Sequence, residues 1–188
     1  MAEYPRVRVA ELPDTPNPTA HKKEVDEALG ITAFGFNLYT ARPGERLPWG
    51  YHYHPDHEEL LYVIEGELAI ETRSADKTEG NGNADGQGGD EAFRLGAGKA
   101  LFVPPGAPQC ARAIGDDPAR VIAAGAPKEA DDSVIAEYCP ACEATTDRTY
   151  DIHESEDENG GEDEDGPVYV LFCADCGHET DRLRAGPK

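Results

Sequence analysis

Two histidines and a glutamate with the spacing of a metal site stand close together in the stretch His52-Tyr53-His54-Pro55-Asp56-His57-Glu58-Glu59. On a β-strand, residues two apart share a face, so His52 and His54 present their imidazoles to the same side. Glu59 opens the run ELLYVIEGELAIE, which reads as the next strand. On one continuous strand His54 and Glu59 would face opposite ways. Pro55-Asp56 interrupts the strand, so Glu59 is expected to return to the same interior from a neighbouring strand. Two neutral imidazoles and a carboxylate suit a borderline divalent ion such as Mn, Fe, Ni or Zn. Glu58 is expected to point outward, and His57, in the turn, to lie at the surface or behind the ligands.

A second set of soft ligands lies near the C-terminus. Cys139-Pro-Ala-Cys142 and Cys173-Ala-Asp-Cys176 are two C-x2-C pairs. This spacing specifies a tetrahedral thiolate site for zinc better than it specifies disulfides, and GPVYVLF before the second pair predicts a strand between them. Such a segment has too little apolar surface to fold alone, so the ion is expected to be structural. The fifth cysteine, Cys110, is expected to act as a small buried hydrophobe, or as a soft neighbour of the barrel ion if its sulfur faces inward.

The elements that must position these ligands are predicted to be strands. Period-2 patterning begins at Ile31 in ITAFGFNLYTARPG and recurs in ELLYVIEGELAIET, EAFRL, KALFVPPG, QCARAIG and ARVIAAGAP, mostly broken by Gly, Pro or Asp. No helical period interrupts residues 31–127, and many short strands with frequent turns predict an all-β barrel or sandwich. Residues 1–30 are Pro-rich and then charged, an expected extended arm ending in a short helical turn. The division expected is thus an arm (1–30), a barrel (31–128) and a cysteine-bearing segment (129–188). SADKTEGNGNADGQGGDE (74–91) and the acidic tract 154–165 read as solvated insertions.

The composition is strongly acidic: 38 Asp and Glu against 17 Lys and Arg, a formal charge of −21. With the eight acids of 154–165 set aside, −13 of that −21 remains, so the acidity is spread over the chain. An acidic surface with 11 Arg but only 6 Lys resembles proteins of salt-loving archaea. At molar salt the screening length falls to about 3 Å, and such a surface stops repelling itself. The same charge excludes a nucleic-acid backbone as partner. The chain lacks an apolar run of membrane-spanning length and an apolar leader, so no membrane partner and a cytoplasmic location are expected.

The barrel motifs resemble those of the cupin superfamily. HYHPDHEELLYVIEG fits the first cupin signature, H-x-H-x(4)-E-x(6)-G, through His52, His54, Glu59 and Gly66. GKALFVPPGAPQ fits the second, G-x(5)-P-x-G-x(2)-H, through Gly98, Pro104 and Gly106, with Gln109 in the final His position. The resemblance covers residues 31–128 and implies an antiparallel cupin barrel (a double-stranded β-helix or jelly roll) with a divalent metal inside, near one mouth. The ligands it implies are His52, His54 and Glu59, with Gln109 as a weak fourth, and Gln109 and Tyr62 are the candidates for orienting a substrate. Residues 137–184 resemble a zinc ribbon.

Three functions are compatible with these motifs. One is a mononuclear metal-dependent enzyme of dioxygenase or isomerase type acting on a small molecule. Another is a non-catalytic, ligand-binding or regulatory cupin whose ribbon serves for docking. The pairing of a cupin with two C-terminal C-x2-C pairs also resembles bacterial 3-hydroxyanthranilate dioxygenase. A small-molecule ligand is the expected partner in each case, and a homodimer through the barrel is the expected assembly.

Overall fold

Alternation decides which side chains of this chain meet. Apolar residues two apart turn to the same side: Tyr39 and Ala41, Leu61 and Val63, Leu68 and Ile70, Ala111 and Ala113, and Ala119, Val121 and Ala123. With Leu47 and Leu95 they form one buried cluster. The computed structural model describes residues 4–15, 21–73, 91–130, 132–153 and 168–184.

Its elements are β1 (His21–Glu24), α1 (Val25–Leu29), β2 (Gly35–Ala41), β3 (Arg46–Tyr53), β4 (Glu58–Glu65), β5 (Glu67–Thr72) and β6 (Glu91–Gly96). There follow β7 (Ala100–Val103), β8 (Gln109–Ile114), β9 (Ala119–Ala126), β10 (Val134–Cys139), β11 (Ala144–His153), β12 (Val168–Cys173) and β13 (Glu179–Arg184). They build two antiparallel sheets, β1-β2-β9-β4-β7 and β13-β12-β11-β10-β3-β8-β5-β6. The first sheet and the β3-β8-β5-β6 part of the second enclose the apolar cluster, which makes the all-β barrel expected from the sequence.

The chain crosses between the sheets at corners, and the corners carry the motif residues. β3 and β4 belong to different sheets, so residues 54–57 make one crossing; residues 104–108, between β7 and β8, make another. These two are tied together by the Gly106 N–H, which donates to the His54 carbonyl at 2.8 Å. The turn expected at Gly66 is a third crossing, because β4 and β5 are not paired with each other. Gly66 has φ +77°, and a Cβ there would stand 2.8 Å from the Ala119 α-carbon, so both handedness and space call for glycine.

At the N-terminal end the helical turn is present as α1. The charged residues before it form an edge strand, β1, paired with β2 through His21↔Thr40. Lys128 Nζ, 2.6 Å from Asp26 Oδ2, fastens α1 to the segment after β9. At the other end the cysteine-bearing strands extend the barrel's own sheet: β10 pairs with β3 through Val134↔Tyr53 and Ile135↔His52. The division placed at 128/129 falls in a short 3-10 turn, Lys128–Ala130. The insertions read at 74–91 (apart from Glu91) and at 154–165 lie outside the described residues. Among the described residues no helix is long and apolar enough to cross a membrane.

Candidate metal centres

The candidate barrel ligands continue the inward alternation of the core, one step beyond its end. Glu59 precedes Leu61 by two on β4, Gln109 precedes Ala111 by two on β8, and Gly125 follows Ala123 by two on β9. Apolar core therefore forms the floor, and polar groups gather at one end of the barrel. Register brings them together from both sheets: His52 lies opposite Gln109, and Glu59 opposite Gly125. One ligand atom from each of His52, His54 and Glu59 lies within 4.8 Å of the others.

His52 is held in the tautomer a metal needs. Its Nδ1 donates to the Gly50 carbonyl at 3.0 Å, which leaves the Nε2 lone pair for the cavity. The ring is 1% exposed, and burial, followed by the neighbouring His54, pushes its pKa down to about 4. It therefore stays neutral, and fit to ligate, across the range in which an exposed histidine takes up a proton.

Gln109 sits where a fourth ligand would. Its Nε2 donates to His52 Nε2 at 3.1 Å and lies 3.4 Å from Glu59 Oε2. Its Oε1 is buried and without a hydrogen-bond partner among the described residues. An amide nitrogen bridging two ligand atoms, beside an orphaned amide oxygen, is the pattern expected where a cation belongs. Turning the amide about its last bond exchanges the two atoms and would offer a cation the amide oxygen. The residues fit a divalent ion.

Tyr62 must be withdrawn from this site. It stands three residues after Glu59 on an unbroken strand and so faces the other way, 39% exposed on the outer surface of β4. Glu58 is exposed, as expected. His57 is not at the surface: it is 4% exposed, its Nδ1 is 2.9 Å from the Pro127 carbonyl, and its ring centroid is 5.0 Å from that of His54. Its ring occupies the space a side chain at 125 would need, since a Cβ on Gly125 would fall 1.8 Å from Nε2. Cys110 alternates with Gln109 and so lies on the outer side of β8. It is buried there, and desolvation pushes its thiol up to about 11, which leaves it the small hydrophobe expected.

The four cysteines converge at the end of β10 and β12, all sulfurs within 4.8 Å of one another. Cys139–Cys176 and Cys142–Cys173 are each 3.8 Å apart. A tetrahedron with ~2.3 Å metal–sulfur bonds has edges of about 3.8 Å, so the cluster fits a zinc ribbon. Around it, Arg148 is buried and donates to Thr146 Oγ1, which leaves the Thr146 hydroxyl proton for Cys173 Sγ at 3.1 Å. That hydroxyl and the Cys176 and Asp175 backbone N–H groups hold the Cys173 thiol below its ordinary range, toward the thiolate that a metal would take.

A β-barrel of two facing antiparallel sheets, with imidazoles and a carboxylate gathered at one end, defines the class of double-stranded β-helix domains. The family model for the cupin domain matches residues 37–125, so the barrel is a cupin domain. It is 34% identical over 94 residues to the polyketide synthase CurC of Streptomyces cyaneus, covering 50% of this chain and 49% of that protein. The chain thus spans about half the length of the curated relative it matches. A cupin-superfamily sugar phosphate isomerase from Silicibacter pomeroyi superposes with a TM-score of 0.57 at 17% identity, covering 94% of this chain and 97% of that one. An oxalate decarboxylase superposes with a TM-score of 0.53 at 20% identity over 69% of this chain and 31% of that one. At these identities the two structures share the fold with this chain.

Proposed function

We propose that the protein is a metal-binding cupin that takes a small molecule at one end of its barrel. His52, His54 and Glu59 hold a divalent ion (Mn, Fe, Ni or Zn), and Gln109 stands at the fourth position. The observation that carries this reading is the fixed Nε2 lone pair of His52 facing Glu59, beside the orphaned Gln109 amide oxygen. Such an ion supplies Lewis acidity at positions left open to a ligand, the chemistry of an isomerase or a dioxygenase.

The chain's own residues do the rest. His52 stays neutral by burial, Leu61, Val63 and Ala111 keep water from the floor, and Gln109 offers an amide hydrogen or oxygen to whatever binds. An amide is neither acid nor base, so this position orients and does not move protons. That property also supports a second reading, a binding or regulatory cupin that holds its ligand unchanged. A small molecule that raises the melting temperature of the wild type in a ligand screen is expected to lose that effect in Glu59→Gln. An equal shift in both proteins would put the ligand outside the metal cavity. Conversion of the ligand to product would decide for the enzyme over the binding module.

The assembly we propose is a pair of chains in the cytoplasm, joined through the outer face of β4 and β7. Phe34, Leu60, Tyr62 and Phe102 are exposed there, with Glu58 as their charged neighbour on β4, on a chain that carries −21. Like-charged copies repel one another elsewhere and meet most easily on this mainly apolar face. In sedimentation, the protein is expected to run at twice its 20.3 kDa in molar salt, and to dissociate and lose structure as salt is diluted. Unchanged mass and melting temperature in dilute buffer would contradict the salt-adapted reading.

A further inference from the structure

We propose that Glu137, brought to the barrel by the C-terminal strands, is a positioning residue for His52, acting through the single peptide group between Gly50 and Tyr51. This inference rests on the reading of His52 as a metal ligand.

The N–H of that peptide group, on Tyr51, donates to Glu137 Oε1 at 3.1 Å. The carbonyl of the same group, on Gly50, accepts from His52 Nδ1 at 3.0 Å. A carboxylate, a peptide and an imidazole thus stand in one line of hydrogen bonds. A peptide whose N–H donates to a carboxylate has a more negative carbonyl oxygen and accepts more strongly. Glu137 therefore strengthens the bond that fixes both the tautomer and the aim of His52. Metal-ligating histidines elsewhere obtain the same effect from a carboxylate in direct contact.

The surroundings are built for this contact. A Cβ on residue 50 would stand 2.5 Å from Glu137 Oε1, so the carboxylate occupies space that only glycine leaves open. Arg46 Nη1 lies 3.5 Å from the same oxygen. Behind Glu137, its own backbone carbonyl accepts from Arg148 Nη2 at 2.8 Å, and Arg148 reaches Cys173 through Thr146. In register, Ile135 of β10 lies opposite His52, and Glu137 lies opposite Thr146. The C-terminal segment thus delivers Glu137 on β10, the strand paired with β3, which gives that segment a task in the barrel.

The test uses the full chain with zinc in the cysteine site and Mn(II), followed by its electron paramagnetic resonance, as probe of the barrel. Glu137→Ala is expected to weaken Mn(II) binding by roughly 10- to 100-fold, the usual cost of losing an outer partner of a metal-bound histidine. Glu137→Gln, which keeps an acceptor but not the charge, is expected to weaken it less. Gly50→Ala pushes the carboxylate off the peptide while leaving Glu137 in the chain, and the double variant Gly50→Ala/Glu137→Ala is expected to be no worse than the weaker single one. The NMR resonance of the His52 Nδ1 proton, read without Mn(II), is expected to move upfield in Glu137→Gln as its hydrogen bond weakens. A salt bridge that merely closed the sheet would leave that resonance in place.

Equal Mn(II) affinity in wild type and both Glu137 variants would overturn the inference. If the wild type binds no Mn(II), the metal reading fails on its own, and the Nδ1 resonance still decides whether Glu137 acts on His52: a shift upholds the contact, and an unmoved signal overturns it.

Discussion

Cys139→Ser is expected to cost the chain one bound ion and the order of β11–β13, while the barrel keeps its fold. Cys139 and Cys173 are essentially fully buried, and among its described residues the segment they close buries few other apolar side chains: Val170 and Leu171 on β12, with Ile135 and Ala136 on β10. Capture of zinc contributes on the order of 10–16 kcal/mol in small finger peptides. Loss of one of four thiolates removes much of that, and no apolar core of comparable size replaces it. β10 is the exception, since it is hydrogen-bonded to β3 and inherits stability from the barrel. Hydrogen exchange is expected to show fast amides in β11–β13 and unchanged protection in β2, β4 and β9. Uniform protection across the variant would mean that the cysteines are not a metal-dependent closure.

The second large effect is at the barrel. Glu59→Gln keeps the volume of the side chain and the hydrogen bonding of its oxygen, but removes the one negative charge among the three strong ligands. His52→Ala removes the donor whose lone pair is already aimed. Each is expected to reduce affinity for a divalent ion by more than the roughly 10- to 100-fold typical of losing an outer partner. The barrel itself should survive Glu59→Gln, because its core of Leu61, Val63, Leu68, Ile70 and Val121 lies beneath the site and touches none of the charge. Equilibrium dialysis against the ion, with the melting temperature as control, checks both statements.

Much of the fold was legible in the chain because alternation and glycine-proline punctuation are local. The inward pairs 61/63, 111/113 and 119/121/123 announce strands, and the two-residue step from His52 to His54 announces a shared face. Tyr62 was legible too, since three residues from Glu59 on a strand is the opposite face. The edge strands β1 and β13, HKKE and ETDRLR, were hidden by their charge, which suits a sheet edge but mimics a loop. β11 was hidden likewise, with only Thr146 and Arg148 buried along its length. The burial of His57 depends on Gly125, brought near by the pairing of β4 with β9. The contact of Glu137 with Tyr51 spans 86 residues of sequence and exists only because β10 joins β3. Nothing local marks either one.

Metal analysis of the purified chain is the most direct test of a two-metal cupin. Two ions per wild-type chain are expected, one held by Cys139, Cys142, Cys173 and Cys176 and the other by His52, His54 and Glu59 with Gln109. Glu59→Gln and His52→Ala should each retain only the cysteine-bound ion, and Cys139→Ser only the barrel ion. A wild type that carries one ion, lost on replacing Cys139 and untouched by replacing His52 or Glu59, would contradict the barrel site.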